Sequence, residues 1–231
     1  MSAIAETPFD SAAGDRLAKR NAFVLAMGQA LAGANNTVIV ATGSILGSMM
    51  APDKSLATLP ISIMVCGIWA GTLPLGFLAK RFGRRTAYAS GAAAGTIAGL
   101  IGYTAILQAN FWLYLVATFC GGLYAASHMS YRFGAADTAS AEFKPKAVSW
   151  VMAGGVFAGV LGPQLVQWTM DIWPPYLFAV SFLAQAFVAL VAMAVLWGVD
   201  APKPAPSDMH GGRPLSRSRG SRALSQPRCA A

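Results

Sequence analysis

The chain has 231 residues, of which 55% are hydrophobic and only 11% charged, about half the charged share of an ordinary soluble domain. Seventeen Lys and Arg against nine Asp and Glu give a net charge of +8. Five stretches, 21–52, 55–79, 86–131, 147–170 and 172–199, contain no charge at all. That leaves no charged faces for the surface helices of a water-soluble fold. It excludes a soluble enzyme and, through its hydrophobicity, disorder over the first 200 residues. The runs do not alternate apolar with polar residues, which argues against a β-barrel.

A bilayer core about 30 Å thick takes roughly 20 apolar residues per helix. The acidic residues Glu6, Asp10 and Asp15 precede the first apolar run, so it reads as a retained helix rather than a signal peptide. In chain order the predicted spans are 22–47, 58–79, 86–107, 111–131, 148–170 and 175–198. The 46-residue run 86–131 is too long for one crossing and is divided at the polar turn Gln108-Ala109-Asn110. The expected fold is an all-α integral membrane protein of six transmembrane helices. Its expected parts are a cytoplasmic arm (1–20), a six-helix bundle (21–199) and a disordered basic Pro/Arg/Ser-rich tail (200–231). With both termini inside the cytoplasmic membrane, 16 of the 17 Lys and Arg fall on the cytoplasmic side and only Lys54 outside. The basic residues then need no nucleic acid to explain them.

The loop after the second span reads Gly76-Phe77-Leu78-Ala79-Lys80-Arg81-Phe82-Gly83-Arg84-Arg85. Gly76, Leu78, Arg81, Gly83, Arg84 and Arg85 match the signature loop of the major facilitator superfamily, which the chain resembles over roughly 20–200. Gly76 is expected to permit a close helix approach, Gly83 to supply a turn at positive φ, and the Arg84-Arg85 pair to anchor the loop at the headgroups. In the family the position of Lys80 is acidic and faces a helix N-terminus across two halves; a lysine cannot take that partner. The fifth span resembles the family's glycine-rich helix through Gly155, Gly159, Gly162 and Pro163, but its later paired glycines are absent. The resemblance implies half of a twelve-helix fold, arranged as two inverted three-helix repeats. It implies secondary active transport of a small solute by alternating access. The chain would be a truncated N-terminal half, its tail a product of truncation or a frameshift. The alternative is a non-transporting six-helix interaction or assembly module.

Polar residues within the spans are the candidates for function. Gln29, Asn35 and Asn36 lie in the first span, with Gln29 and Asn36 seven residues apart on one face. They hydrogen-bond a substrate, by the family's use of spans one and four as cavity walls, or they join helices. His128 and Arg132 are four apart at the end of the fourth span, with Asp137 and Glu142 following. They form an anion or gating site, or a snorkelling arginine with an acidic partner. Gln164 and Gln167, three apart, follow the Pro163 kink, for gating or for packing on the first helix. In the third span Gly91, Gly95, Gly99 and Gly102 form a small-residue stripe for close packing. The sixth span, with Gln185 its polar exception, suits a lipid-facing place. No catalytic motif, cofactor fingerprint or metal-ligand spacing occurs. The expected partners are the lipid bilayer, a solute of unknown identity, and a second six-helix half or a second copy of the chain.

Overall fold

The computed structural model describes residues 8–199, and among them the regular structure is entirely helical. The expected disordered tail lies outside the described residues. The helices are α1 (Pro8–Met50), α2 (Leu59–Phe82), α3 (Arg84–Leu107), α4 (Phe111–Met129), α5 (Tyr131–Asp137), α6 (Lys144–Thr169) and α7 (Ala179–Leu196). In lipid every backbone N–H and C=O must be satisfied within its own segment, and long uncharged runs answer that demand as helices. Five of them, α1, α2, α3, α6 and α7, are long and apolar enough to cross a membrane. The 19-residue α4 is also uncharged apart from His128 near its end, and it carries Trp112, Tyr114 and Tyr124 within an otherwise apolar run.

The boundaries differ from the predicted ones for local reasons. The segment expected as an arm is helical from Pro8, since proline is tolerated in a first turn. One residue, Gly83, separates α2 from α3. The turn expected at 108–110 is present: Ala109 has φ 47°, and Asn110 caps α4 by accepting from the Leu113 N–H at 3.1 Å. The α4 helix stops at Met129, and the short α5, which sequence reasoning missed, follows Ser130. Pro145 lies in the first turn of α6, which starts earlier than expected. The α7 helix starts later, after the adjacent Pro174 and Pro175, neither of which has an N–H to give to a helix.

The packing is built on small residues. The most extensive pairings are α1 on α6 and α2 on α4, then α3 on α4 and on α7. At Gly154 a Cβ would lie 2.2 Å from the Ala26 carbonyl oxygen, and at Gly122 it would lie 2.2 Å from that of Met64. The stripe on α3 divides its contacts as expected of a packing face. Gly91 and Gly95 receive Ser127 and Tyr124 of α4, and Gly99 and Gly102 receive Ala186 and Phe182 of α7. Outside, the large apolar side chains stand free. Trp69 and Leu73 are each 78% exposed, and Val156 and Trp168 each 73%. An alanine-, glycine- and tyrosine-rich interior under an apolar exterior is the reverse of a water-soluble fold, and lipid is the solvent it suits.

Three contacts bring the helix ends together. Arg20 donates to the Gly198 carbonyl at 3.3 Å. The Arg85 guanidinium lies 4.6 Å from the centre of the Trp197 ring. Arg84 pairs with Asp137. The N-terminal part of α1, the α2–α3 turn, α5 and the C-terminus of α7 therefore share one end of the bundle. The cations 16, 19, 20, 80, 81, 84, 85 and 132 belong to these segments, 144 and 146 belong to the start of α6, where Lys19 of α1 lies 5.8 Å from the centre of the Phe143 ring, and Lys54 belongs to the other end. Arg20 and Arg85 also meet the C-terminal end of α7, where the helix dipole favours positive charge.

Candidate functional site

The polar candidates fall into two places. The first is the seam where α1 meets α4 and α6. Gln29 is half-buried, with its Nε2 3.4 Å from Nδ1 of His128. A Cβ at Gly155 would lie 3.8 Å from the same Nε2, so Gln29 stands between α4 and α6. If the amide donates, Nδ1 accepts and the ring proton sits on Nε2. Gln29 Oε1, His128 Nε2 and the Oδ1 of half-buried Asn36 have no protein partner among the described residues. Asn35 faces elsewhere: it is buried, and its Nδ2 donates to the Gln185 carbonyl of α7 at 2.9 Å. This is the helix-joining role rather than the cavity-lining one, and it places part of α7 inside the bundle, since Gln185 is fully buried. Between residues 16 and 199 the carboxylates are Asp53, Asp137, Glu142 and Asp171, all at helix ends or in loops. The seam is thus neutral and rich in hydrogen-bonding groups.

The expectation that His128 and Arg132 share a helix face is corrected. The helix is interrupted at Ser130, so His128 is buried in α4 while Arg132 stands exposed in α5. On α6 the residues packed against α1 are Gly154, Ala158 and Gly162; Gly155 lies beside Gln29, and nothing stands within 4 Å of a Cβ at exposed Gly159. Pro163 is exposed and Gln164 half-buried. A second proline inside a helix, Pro74 of α2, was not singled out from sequence.

The second place is the basic end. Gly83 has φ 90° and ψ 160°, a conformation essentially reserved for glycine. This lets α3 begin one residue after α2 ends. Arg84 then reaches Asp137 and also donates to the Tyr88 hydroxyl at 3.4 Å. The Tyr88 ring meets Tyr131 edge-on, with centroids 4.8 Å apart. The Arg84-Arg85 pair is therefore not simply directed to headgroups: one arginine ties α3 to α5 and the other ties it to α7. Gly76 is also corrected. It is exposed with nothing near its Cβ position, and the close approaches of α2 are made by Gly67 and Gly71 against α4. Leu78 is half-buried, and Lys80 and Arg81 are exposed. A groove of about 600 Å³ opens beside Gly76, walled by Leu75, Ala79, Lys80, Tyr88 and Phe133. Asp137 as the partner of Arg84 was not predicted, because the two are 53 residues apart.

Because both partners are partly exposed, with side chains 30% and 52% accessible, the Arg84–Asp137 pair contributes no more than about 1 kcal/mol. Asp137→Asn is expected to lower the thermal unfolding temperature of the detergent-purified chain only slightly, as measured by intrinsic fluorescence.

The sequence profile described as Major Facilitator Superfamily matches residues 23–228. The chain belongs to the major facilitator superfamily. Among curated relatives it is 42% identical over 201 residues to the riboflavin transporter RfnT of Brucella anthropi, covering 86% of this chain and 50% of that protein. It is 29% identical over 191 residues to the uncharacterized MFS-type transporter YdeG of Bacillus subtilis, covering 79% of this chain and 42% of that protein. The chain spans about half the length of the curated relatives it matches. No solved structure matches it. Of the six residues read as the signature loop, Gly76, Leu78 and Arg81 lie in α2, Gly83 forms the turn, and Arg84 and Arg85 begin α3.

Proposed function

We propose that the chain is the N-terminal six-span wall of a major facilitator transporter that carries riboflavin or a closely similar flavin by alternating access. The observation that carries this reading is the 42% identity to the riboflavin transporter across 86% of the chain. The α1–α4–α6 seam supports it chemically. Gln29, His128 and Asn36 offer neutral donors and acceptors, which suit an uncharged solute with many hydrogen-bonding groups. Six crossings follow if α4 is counted with the other five long helices. Inverted repeats of α1–α3 and of α4, α6 and α7 are supported by the pairing pattern. Exchanging α1 with α4 and α2 with α6 turns the α1–α6 contact into the α4–α2 contact. Each of the exchanged helices α2 and α6 carries an internal proline, Pro74 and Pro163. The basic end is cytoplasmic by the positive-inside rule, in a cell membrane that holds the chain as a multi-pass protein. One wall does not enclose a central site, so the second wall comes from another six-helix half or a second copy.

The test is uptake of radiolabelled riboflavin by a riboflavin-requiring bacterial strain. The strain would express this chain together with the half of the Brucella anthropi transporter to which it does not align. Accumulation above the strain carrying that half alone is expected, and Gln29→Ala should reduce it about tenfold. Accumulation no greater than with that half alone contradicts the reading.

A further inference from the structure

The interior between α1, α3, α4 and α7 holds more polar atoms than the protein pairs. Asn35 of α1 is 1% exposed and Gln185 of α7 is fully buried. They meet where Asn35 Nδ2 donates to the Gln185 carbonyl at 2.9 Å. Beyond that bond, Asn35 Oδ1 and both Nε2 and Oε1 of Gln185 have no protein partner among the described residues. The α3 helix packs on either side of Gln185: a Cβ at Gly99 would lie 2.7 Å from the Phe182 carbonyl oxygen and 2.6 Å from the Ala186 amide nitrogen. The Tyr124 ring of α4 lies against Gly95, one turn before Gly99. Its buried hydroxyl likewise has no protein partner among the described residues. Ala189, four residues after Gln185, and Ala32, three before Asn35, pack in the same buried cluster as Tyr124. Four orphaned polar atoms from three helices therefore lie in one stretch of the interior. Buried polar groups in folded proteins nearly always have a partner, from the protein or from ordered water.

We infer that Asn35, Tyr124 and Gln185 form a binding site for internal water, which joins α1, α4 and α7 through hydrogen bonds that these side chains do not make directly. The donor set names the ligand. The two amide oxygens accept, the Gln185 amide nitrogen donates, and the Tyr124 hydroxyl does either. Water does both as well, and a buried water takes about three such bonds. A metal cation fits poorly. Gln185 Nε2 offers it only N–H groups, and the carboxylates between residues 16 and 199 lie at helix ends or in loops. The site is separate from the α1–α4–α6 seam, because Asn35 turns to α7 while Gln29 turns to His128 and towards α6. It is independent of the transporter reading, since it concerns the joint that holds α7 inside the bundle. It also accounts for Gln185 as the polar exception of an apolar helix: water, rather than another side chain, satisfies the buried amide.

X-ray radiolytic footprinting of the full chain in lipid nanodiscs tests the site. A bound water struck by the beam yields a hydroxyl radical that oxidises the side chain beside it, however deeply that side chain is buried. Mass spectrometry is expected to find Tyr124 oxidised although it is only 1% exposed, and Phe178, 4% exposed and with no polar side-chain atom, left intact. Gln185→Met and Asn35→Leu each remove one amide at similar volume. Each is expected to abolish the oxidation of Tyr124 and to lower the thermal unfolding temperature, because the remaining polar groups lose a shared partner. A variant that fails to fold would be oxidised at Phe178 as well, and the unaltered chain alone then decides. Tyr124 left unoxidised in the unaltered chain overturns the inference. So does Tyr124 oxidised equally in a folded Gln185→Met protein, since the amide would then not hold the water. A Gln185→Met protein that unfolds at a higher temperature than the unaltered chain also overturns it, since the amide would then be dry.

Discussion

Gly83→Val is expected to leave the chain inserted in the membrane but to disconnect its basic end. At φ 90° and ψ 160° a β-branched residue clashes with its own backbone, at a cost of about 1–3 kcal/mol. No neighbour crowds this position, since nothing lies within 4 Å of a Cβ there. The penalty is therefore conformational, and the chain relieves it by moving α3 relative to α2. Arg84 and Arg85 are the next two residues, so their contacts to Asp137 and Trp197 move with them. Trypsin cleavage after Arg84 or Arg85 should become much faster in the variant. Membrane-fraction abundance should stay near that of the unaltered chain, because the apolar runs that drive insertion are unchanged. Unaltered cleavage would show that the turn tolerates another backbone conformation.

Gly122→Leu is expected to have the largest effect on the bundle itself. A Cβ alone would sit 2.2 Å from the Met64 carbonyl oxygen and 2.9 Å from Gly67 Cα. Those neighbours are backbone and cannot rotate away. The α2 and α4 helices must separate, losing the contacts at Gly67 and Gly71 as well. Overpacking of this kind costs about 3 kcal/mol or more. A clear fall in the thermal unfolding temperature in detergent checks it. Gly159→Leu is the comparison: its Cβ position is open, and it should have little effect on folding. A Gly122→Leu protein as stable as the Gly159→Leu protein would contradict the packing described for α2 and α4.

These two glycines show what the sequence made legible. Gly83 was readable because it sits in a loop with a recognisable pattern and little choice of backbone geometry. The α3 stripe was readable because its period matches a helix face, and the structure divides it between Tyr124 and Phe182 on two different neighbours. The spans were readable because charge is so costly in lipid that its absence marks them. Other features depend on which helices meet, and periodicity within a helix does not encode that. The Arg84–Asp137 pair joins residues 53 apart. Asn35 and Asn36 are adjacent in sequence, yet Asn35 turns to α7 and bonds the Gln185 carbonyl. Gly76 looked like a packing glycine by its place in the signature and instead borders a groove. The break at Ser130 was hidden because no proline or glycine stands there to signal it. It separates His128 from Arg132, which uninterrupted helical periodicity had placed together.

The polar side chains of the spans and the charged ones of the loops occupy different parts of the bundle. Neutral amides and an imidazole lie along α1 and α4, where charge is expensive. The charged residues gather at the end where water and headgroups can solvate them. The links from Arg20 and Arg85 to the end of α7, and from Arg84 to α5, tie four segments of that end together. In the alternating-access reading, this end moves as one body when the two halves rock.

The proposed topology puts that end in the cytoplasm, with an even number of crossings. Single cysteines introduced at Lys54, Gln108 and Thr138, in a chain with Cys66, Cys120 and Cys229 changed to serine, test it directly with a membrane-impermeant maleimide applied to intact cells. Labelling at positions 54 and 108 before permeabilisation, and at 138 only after it, is the predicted result. Labelling at 138 in intact cells, or protection of 54 and 108, would contradict it.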